Sequence, residues 1–233
     1  MKYSRKTFID RDSQKELIQL RIKERAYIEG EIPITGRSLK NYSIQLFPDI
    51  NSNKLLEFLL DKDYLDIACG INHLYSDSLL CKLKGSKKRH GLDIHSLNST
   101  HKNVKYFKGS IYNMNFSKNS YDCITINNYM YFWESNPHKL LQMYKELYKI
   151  LKLNGEIRIF PVYYGNYYCD NIELYNYLNI HFSIQCLRPE KDYSKESPIY
   201  LEDNKIKKTN NGLNEYKNSH ELMSHVIILR KIK

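Results

Sequence analysis

Two carboxylates give the first indication of chemistry. Asp66 sits in the apolar run Tyr64-Leu65-Asp66-Ile67-Ala68-Cys69, just ahead of Gly70, and Asp93 ends a second short run 27 residues later. An acid at the end of a second strand, about that far beyond a glycine turn, accepts hydrogen bonds from ribose hydroxyls in nucleotide-binding βαβ units. Gly70 has no Cβ, so the backbone can bend sharply there and lie against a ligand. Amides in the turn and at the start of the next helix can meet polar ligand atoms. Further along, Asn127 and Asn128 end another apolar run, and they are hydrogen-bonding groups rather than bases. Tyr129, Tyr131, Phe132 and Trp133 follow them, and Tyr163, Tyr164, Tyr167 and Tyr168 follow the next run. These rings can wall a pocket for an aromatic or apolar acceptor, or stack on bases. With 21 tyrosines in the chain, composition alone also produces such clusters. His73, His95 and His138 lie near these motifs, and none is assigned as a base.

The elements that must position these groups follow from the pattern. Asp12 or Ser13 caps a helix within residues 1–31, with Leu17, Leu20 and Ile28 on its apolar face and Lys15, Arg21, Lys23 and Arg25 on its basic one. Ser38 caps a short helix through Phe47, and Asn51 or Ser52 starts another through about Leu60. Strands are expected at Tyr64–Ala68, Lys88–Ile94, Val104–Phe107, Asp122–Asn127, Glu156–Val162, His181–Leu187 and Leu222–Ile232. Leu74, Leu79, Leu80 and Leu83 make a helical stripe after the first strand. Ser135 caps a helix with Leu140, Tyr144, Leu147, Tyr148 and Leu151 on one face, and Asn154-Gly155 stops it. Asp170 opens a helix through Leu178, and Pro189–Ser219 is a polar excursion. The last strand has no crossover helix before it and can enter antiparallel.

Composition excludes several classes. No run of 18 apolar residues exists, so no membrane span is expected. The basic Met1-Lys2-Tyr3-Ser4-Arg5-Lys6 is followed by no apolar signal-peptide core, so the cytoplasm or another reducing compartment is expected. Five cysteines (Cys69, Cys81, Cys123, Cys169, Cys186) form no Cys-x-x-Cys pair, which argues against a disulfide framework or zinc knuckle. The eight histidines lack the i, i+4 spacing of a helical metal pair, so no metal is expected. A net charge of +10 permits nucleic acid as a partner, but lysine is spread throughout a chain equally rich in Asn, Ile and Tyr.

Taken together, these motifs resemble the class I S-adenosylmethionine-dependent methyltransferases. Asp66-Ile-Ala-Cys-Gly70-Ile-Asn72 is similar to the family's Asp-x-Gly-x-Gly-x-Gly turn, and Asp93 matches its ribose-binding acid. Gly109-Ser-Ile-Tyr-Asn-Met-Asn-Phe116 resembles the loop that holds adenine, and Tyr121–Asn127 the strand facing the methyl donor. Glu146–Glu156 resembles the helix and turn written Glu-x-x-Arg-Val-Leu-Lys-Pro-Gly-Gly, the most specific match. Gly36-Arg37-Ser38-Leu39-x-x-Tyr42 resembles a segment before the first strand in some bacterial members.

The resemblance implies a Rossmann-like, doubly wound α/β fold: a seven-stranded, mostly parallel sheet with the last strand antiparallel. It divides the chain into a helical extension over 1–62 and a cofactor-binding domain over 63–233. It also implies S-adenosyl-L-methionine as cofactor, held by Asp66, Ala68, Cys69, Gly70, Asn72, Asp93, Ile94, Ser110, Ile111 and Asn127. Arg37 can pair with a carboxylate of cofactor or substrate through two parallel hydrogen bonds, or it is an ordinary surface Arg beside a helix cap. Acceptor contacts fall to Asn128, Tyr131, Trp133, Tyr163 and Tyr164. Ala68, Asn72 and Ser110 depart from the family pattern, each at a cost of ~1 kcal/mol of binding.

The expected activity is methyl transfer to an unidentified acceptor, a small molecule in the first instance. The competing expectation is a catalytically inactive methyltransferase-like protein that binds nucleic acid or a protein partner. A nicotinamide oxidoreductase is the weakest reading, because the turn lacks a full Gly-x-Gly-x-x-Gly.

Overall fold

The computed structural model describes residues 37–69, 78–85, 88–94, 103–127, 137–162, 172–187 and 225–233. The expected helix within 1–31, the Pro189–Ser219 excursion and Leu74 lie outside them. In chain order the elements are α1 (Leu39–Leu46), a single 3-10 turn (Ser52–Lys54), α2 (Leu55–Phe58), β1 (Tyr64–Ile67), α3 (Leu79–Lys82), β2 (Arg89–Asp93), β3 (Lys105–Lys108), β4 (Tyr121–Asn127), α4 (Pro137–Ile150), β5 (Leu151–Val162), α5 (Ile172–His181), β6 (Phe182–Leu187) and β7 (His225–Lys231). They build one sheet of order β3-β2-β1-β4-β5-β7-β6. Strands β1 to β5 pair in parallel, and β7 slots between β5 and β6 antiparallel to both. The doubly wound, mostly parallel sheet with an antiparallel last strand is therefore present. Strand order reverses at β1 and β4, so the cleft for a ligand opens at their carboxyl ends.

Side chains alternate across this sheet between two cores. Leu65, Ile67, Ile124, Ile126, Ile157, Ile159, Ile227 and Leu229 face Leu140, Tyr144, Leu147 and Ile150 of α4 and Leu174 and Leu178 of α5. Tyr64, Cys123, Phe160, Val226 and Ile228 face the other way, against Tyr42, Leu46 and Phe47 of the α1 segment, Leu55 and Leu59 around α2, and Leu79, Leu80 and Leu83 around α3. Each such fully buried Leu or Ile contributes roughly 1.5–3 kcal/mol relative to exposure. Ser38 caps α1, its hydroxyl accepting from the Asn41 amide, as its place in the sequence predicts. At the edge, His90 packs among Phe107, Phe116 and Tyr121. Burial, helped by Lys105 and Lys88, holds its pKa at about 4.

One boundary differs from the sequence expectation. Helix α4 ends at Ile150, before Asn154-Gly155, and Leu151 begins β5 instead of completing the helical stripe. The terminal carbonyls of α4 find partners in the turn that leads into β4: Asn119 N donates to Lys149 O (3.0 Å) and Ser120 N to Ile150 O (2.7 Å). The sheet, not a glycine, terminates the helix. Asn154, at φ +60°, makes a turn within β5, and a Cβ on Gly155 would lie 2.9 Å from Lys152 O.

Candidate active site at the carboxyl ends of the strands

The turn after β1 sets the floor of the cleft. Ala68 has φ +56°, and its amide donates to Leu92 O at 2.8 Å. A left-handed conformation strains a residue that has a Cβ. At Ala68 the chain thus takes a conformation usually left to glycine, with alanine where the family pattern has a glycine. An Ala68→Gly variant is expected to be more stable by about 0.5–1 kcal/mol, the strain relief less the entropy of a freer unfolded chain. Chemical denaturation checks this; a less stable variant would mean that the methyl group contributes more by packing than it costs by strain. The Cys69 side chain is buried beneath the turn, and burial, with Asp66 and Asp93 nearby, raises its thiol pKa well above the ordinary value. Gly91 makes room for it: a Cβ there would lie 2.8 Å from Cys69 Sγ and 2.6 Å from the Tyr106 ring.

Asp93 ends β2 and lines a small hollow of about 20 Å³ with Ile67, Ala68, Leu92, Ile94, Gly109 and Ile111. Leu92 and Ile111 are buried, whereas Ile94 is 53 % exposed at the rim. The hollow itself is only about the size of a water molecule; what it offers a ligand lying across the strand ends is an apolar surface with one carboxylate that can accept from hydroxyls. Gly109 N donates to Asp93 O at 2.9 Å, holding the following loop against β2. Ser110, the next residue, accepts from Tyr112 N through its hydroxyl at 3.3 Å.

Asp66 has different surroundings. It is 1 % exposed, and its carboxylate accepts from Tyr42 Oη of α1 and, at 2.8 Å, from Thr125 Oγ1 of β4. Tyr64 Oη pairs with the same Thr125 hydroxyl. Burial, reinforced by the Asp66 charge, raises the pKa of both tyrosines well above 10.0, so both hydroxyls stay protonated. Asn127, at the end of β4, donates through Nδ2 to Gln45 Oε1 of α1 at 3.0 Å. Because Asp66 is paired with Thr125 in the sheet register, Asn127 stands level with the Ala68 turn.

Arg37, immediately before α1, is buried, which sets aside the reading of an ordinary surface arginine. Its positive charge acts on the Tyr42 hydroxyl. Helix α1 thus brings Arg37, Tyr42 and Gln45 to the strand ends. Sequence reasoning did not identify Tyr42, Gln45 or Thr125 as site residues. The available signal was Tyr42 and Gln45 at i and i+3 behind the Ser38 cap, one helical face carrying two polar groups.

A larger cavity, about 590 Å³, opens at the opposite end of the sheet, between Asp49, Phe58, Lys62, Asp122, Lys152 and Arg230. Its charges pair with one another: Lys152 with Asp122 at 2.7 Å, Arg158 with Asp49 at 2.5 Å and Arg230 with Glu156 at 3.4 Å. Of the sequence-predicted site residues, the described ones at the strand ends are Arg37, Asp66, Ala68, Cys69, Asp93, Ile94, Ser110, Ile111 and Asn127. Gly70, Asn72, Asn128, Tyr131, Trp133, Tyr163 and Tyr164 lie outside the described residues, as do His73 and His95. His138 is exposed on α4. Among the described residues no cluster of His, Cys, Asp and Glu could hold a metal, and no helix is long and apolar enough to cross a membrane.

Comparison with known proteins gives this geometry a context. Residues 65–159 match the family model described as a methyltransferase domain. No curated protein matches the chain. Among solved structures it is similar to an rRNA methylase from Streptococcus thermophilus (15 % identity, 78 % of this chain and 93 % of that one, TM-score 0.44). It is also similar to the N-methyltransferase NodS from Bradyrhizobium japonicum in complex with S-adenosylhomocysteine (8 %, 77 % and 82 %, TM-score 0.45). A third is a geranyl diphosphate C-methyltransferase from Streptomyces coelicolor (13 %, 77 % and 78 %, TM-score 0.44).

Proposed function

We propose that this chain, whose residues 65–159 match the model of a methyltransferase domain, is a class I S-adenosylmethionine-dependent methyltransferase that transfers a methyl group from S-adenosylmethionine to a small-molecule acceptor. The observation that carries this reading is the Asp93 carboxylate beside the apolar hollow of Ile67, Leu92, Ile94 and Ile111 at the strand-order reversal. When bound, the cofactor supplies a methyl group activated on a sulfonium. Asp93 accepts from its ribose hydroxyls, Ile94 and Ile111 flank its adenine, and Arg37 receives its carboxylate. Ala68, Cys69, Gly70 and Asn72 present backbone and amide groups to its amino-acid end. The chain's work is alignment and exclusion of water, which suffices when the acceptor atom is already electron-rich. An alcohol or protonated amine would also need a base.

In this reading residues 1–62 are a helical extension and 63–233 the cofactor domain. The extension's described part shares its core with the sheet, which supports its role as a wall of the cleft. Acceptor contacts fall to Asn128, Tyr131, Trp133, Tyr163 and Tyr164. The chain belongs, on the same reading, to a reducing compartment such as the cytoplasm.

The test is calorimetric titration of the protein with S-adenosylhomocysteine, beside Asp93→Ala. Micromolar binding is expected, weakened in the variant by about 1.5–3 kcal/mol, roughly ten- to a hundredfold, for lost hydrogen bonds to a charged acceptor. Equal affinities would remove Asp93 from the site. The second reading is an inactive relative that binds nucleic acid or protein. It is favoured by Ser110, whose hydroxyl accepts from Tyr112 N where the family pattern places an acid. No heat from folded wild-type protein, together with salt-sensitive nucleic-acid binding, would establish it.

A further inference from the structure

We infer that Gln45 of α1 is a positioning residue for the methyl-donor site, acting through Asn127. This rests on the donor-binding reading above. Asn127 is the last residue of β4, level with the left-handed Ala68 turn, and both are at the carboxyl ends of adjacent strands. A terminal amide rotates about χ2 in a broad well, so a lone Asn at a strand end has no fixed direction. Gln45 holds one edge of that amide. Its Oε1 accepts from Asn127 Nδ2 at 3.0 Å, and both side chains are buried, Gln45 at 2 % and Asn127 at 5 % exposure. The bond selects one of the two faces of the Asn127 amide, nitrogen toward α1 and oxygen turned from it.

Gln45 itself is held rigidly. Tyr42, one helical turn earlier, is bonded to Asp66 of β1, and Leu46 O, one residue later, accepts from Arg158 Nη1 of β5 at 2.9 Å. Helix α1 is thus fixed to β1, β4 and β5 by successive polar contacts, and the middle one ends at a residue of the cleft. An amide pair at the strand end, level with the turn proposed to meet the donor's amino-acid end, gives the cleft a hydrogen-bonding group of set orientation, at no reorganisation cost on binding.

The experiment is a double-mutant cycle on S-adenosylhomocysteine affinity, using Gln45→Met, Asn127→Ala and the double variant, with thermal denaturation confirming that each is folded. Gln45→Met keeps length and volume and removes the acceptor. It is expected to weaken binding about tenfold in the wild-type background and less than twofold in the Asn127→Ala background, since its effect passes through Asn127. Should the Met variant unfold, Gln45→Asn retains polarity, withdraws the acceptor by one methylene, and is expected to show the same non-additive loss. Equal losses in both backgrounds would overturn the inference, as would Gln45 variants that bind like wild type. A folded wild-type protein that binds no S-adenosylhomocysteine would instead overturn the donor-binding reading, and this inference with it.

Discussion

An Arg158→Met variant is expected to lose about 3–5 kcal/mol of unfolding free energy, the usual cost of removing one partner from a buried ion pair. Arg158 is fully buried in the middle of β5. Its Nε donates to Glu156 at 2.7 Å, and Nη1 and Nη2 donate to the two Asp49 oxygens at 2.5 and 3.1 Å. Its Cζ lies 4.5 Å from the Phe47 ring centroid. Burial pulls the guanidinium pKa down, but the Asp49 bond and the Glu156 charge outweigh it and leave the net shift upward. Methionine fills the space and leaves Glu156, itself buried, with the partly exposed Arg230 as its remaining cation among the described residues. The orphaned acceptors, rather than the lost attraction, dominate the loss.

Two further results would support that account. Replacing Arg158, Glu156 and Asp49 together by apolar residues should recover much of the stability, because no buried charge then remains. The pH dependence should change as well. Burial raises the Asp49 pKa, but the Arg158 hydrogen bond and charge outweigh this and hold it below 3.8. That stabilisation is complete above about pH 4 and is lost as pH falls through the depressed value, so this part of the acid sensitivity should vanish in Arg158→Met. Urea titrations of the variant across pH measure both effects, and a loss below 1 kcal/mol would show the site relaxing to admit water.

The strands were legible because buried parallel strands read as continuous apolar runs with turn residues between them; the doubly wound arrangement with its last strand antiparallel came from the family resemblance, since apolar runs do not carry pairing order. The same alternation that placed Ile157 and Ile159 on one face placed Arg158 on the other, and sequence periodicity cannot say that a buried cation is answered from Asp49, 109 residues earlier. Gln45 and Asn127, 82 positions apart, were hidden for the same reason. Asp93 was singled out by a local interval, strand end to strand end, and it does end β2 beside the hollow. The end of α4 was misplaced because Asn154-Gly155 is a valid helix stop in isolation. The sheet caps the helix earlier, and nothing within residues 137–155 announces it. Arg37 was ambiguous because burial is a tertiary property.

Lys231→Met is expected to cost about 2–4 kcal/mol, close to what one or two charge-assisted hydrogen bonds contribute when their acceptors are left buried. Lys231 is 7 % exposed at the end of β7. Its ammonium donates to Tyr148 O at 2.9 Å, Leu151 O at 2.8 Å and Asn119 Oδ1 at 3.0 Å, and lies 4.1 Å from the Tyr148 ring centroid. An ammonium has three protons, and each finds an acceptor here. Tyr148 O belongs to the last turn of α4, where the helix dipole is negative and a cation is favoured. The contact therefore joins the end of the chain to the helix whose termination the sequence did not reveal. Lys231→Arg should recover only part of the loss, because a planar fork cannot direct its donors from one point as an ammonium does. Equilibrium urea unfolding of both variants provides the measurement. A Met variant within 1 kcal/mol of wild type would mean that backbone donors from Asn119 and Ser120 are enough to end α4. A loss of the predicted size, with Arg intermediate, would make the last strand the cap of a helix roughly 80 residues earlier in the chain.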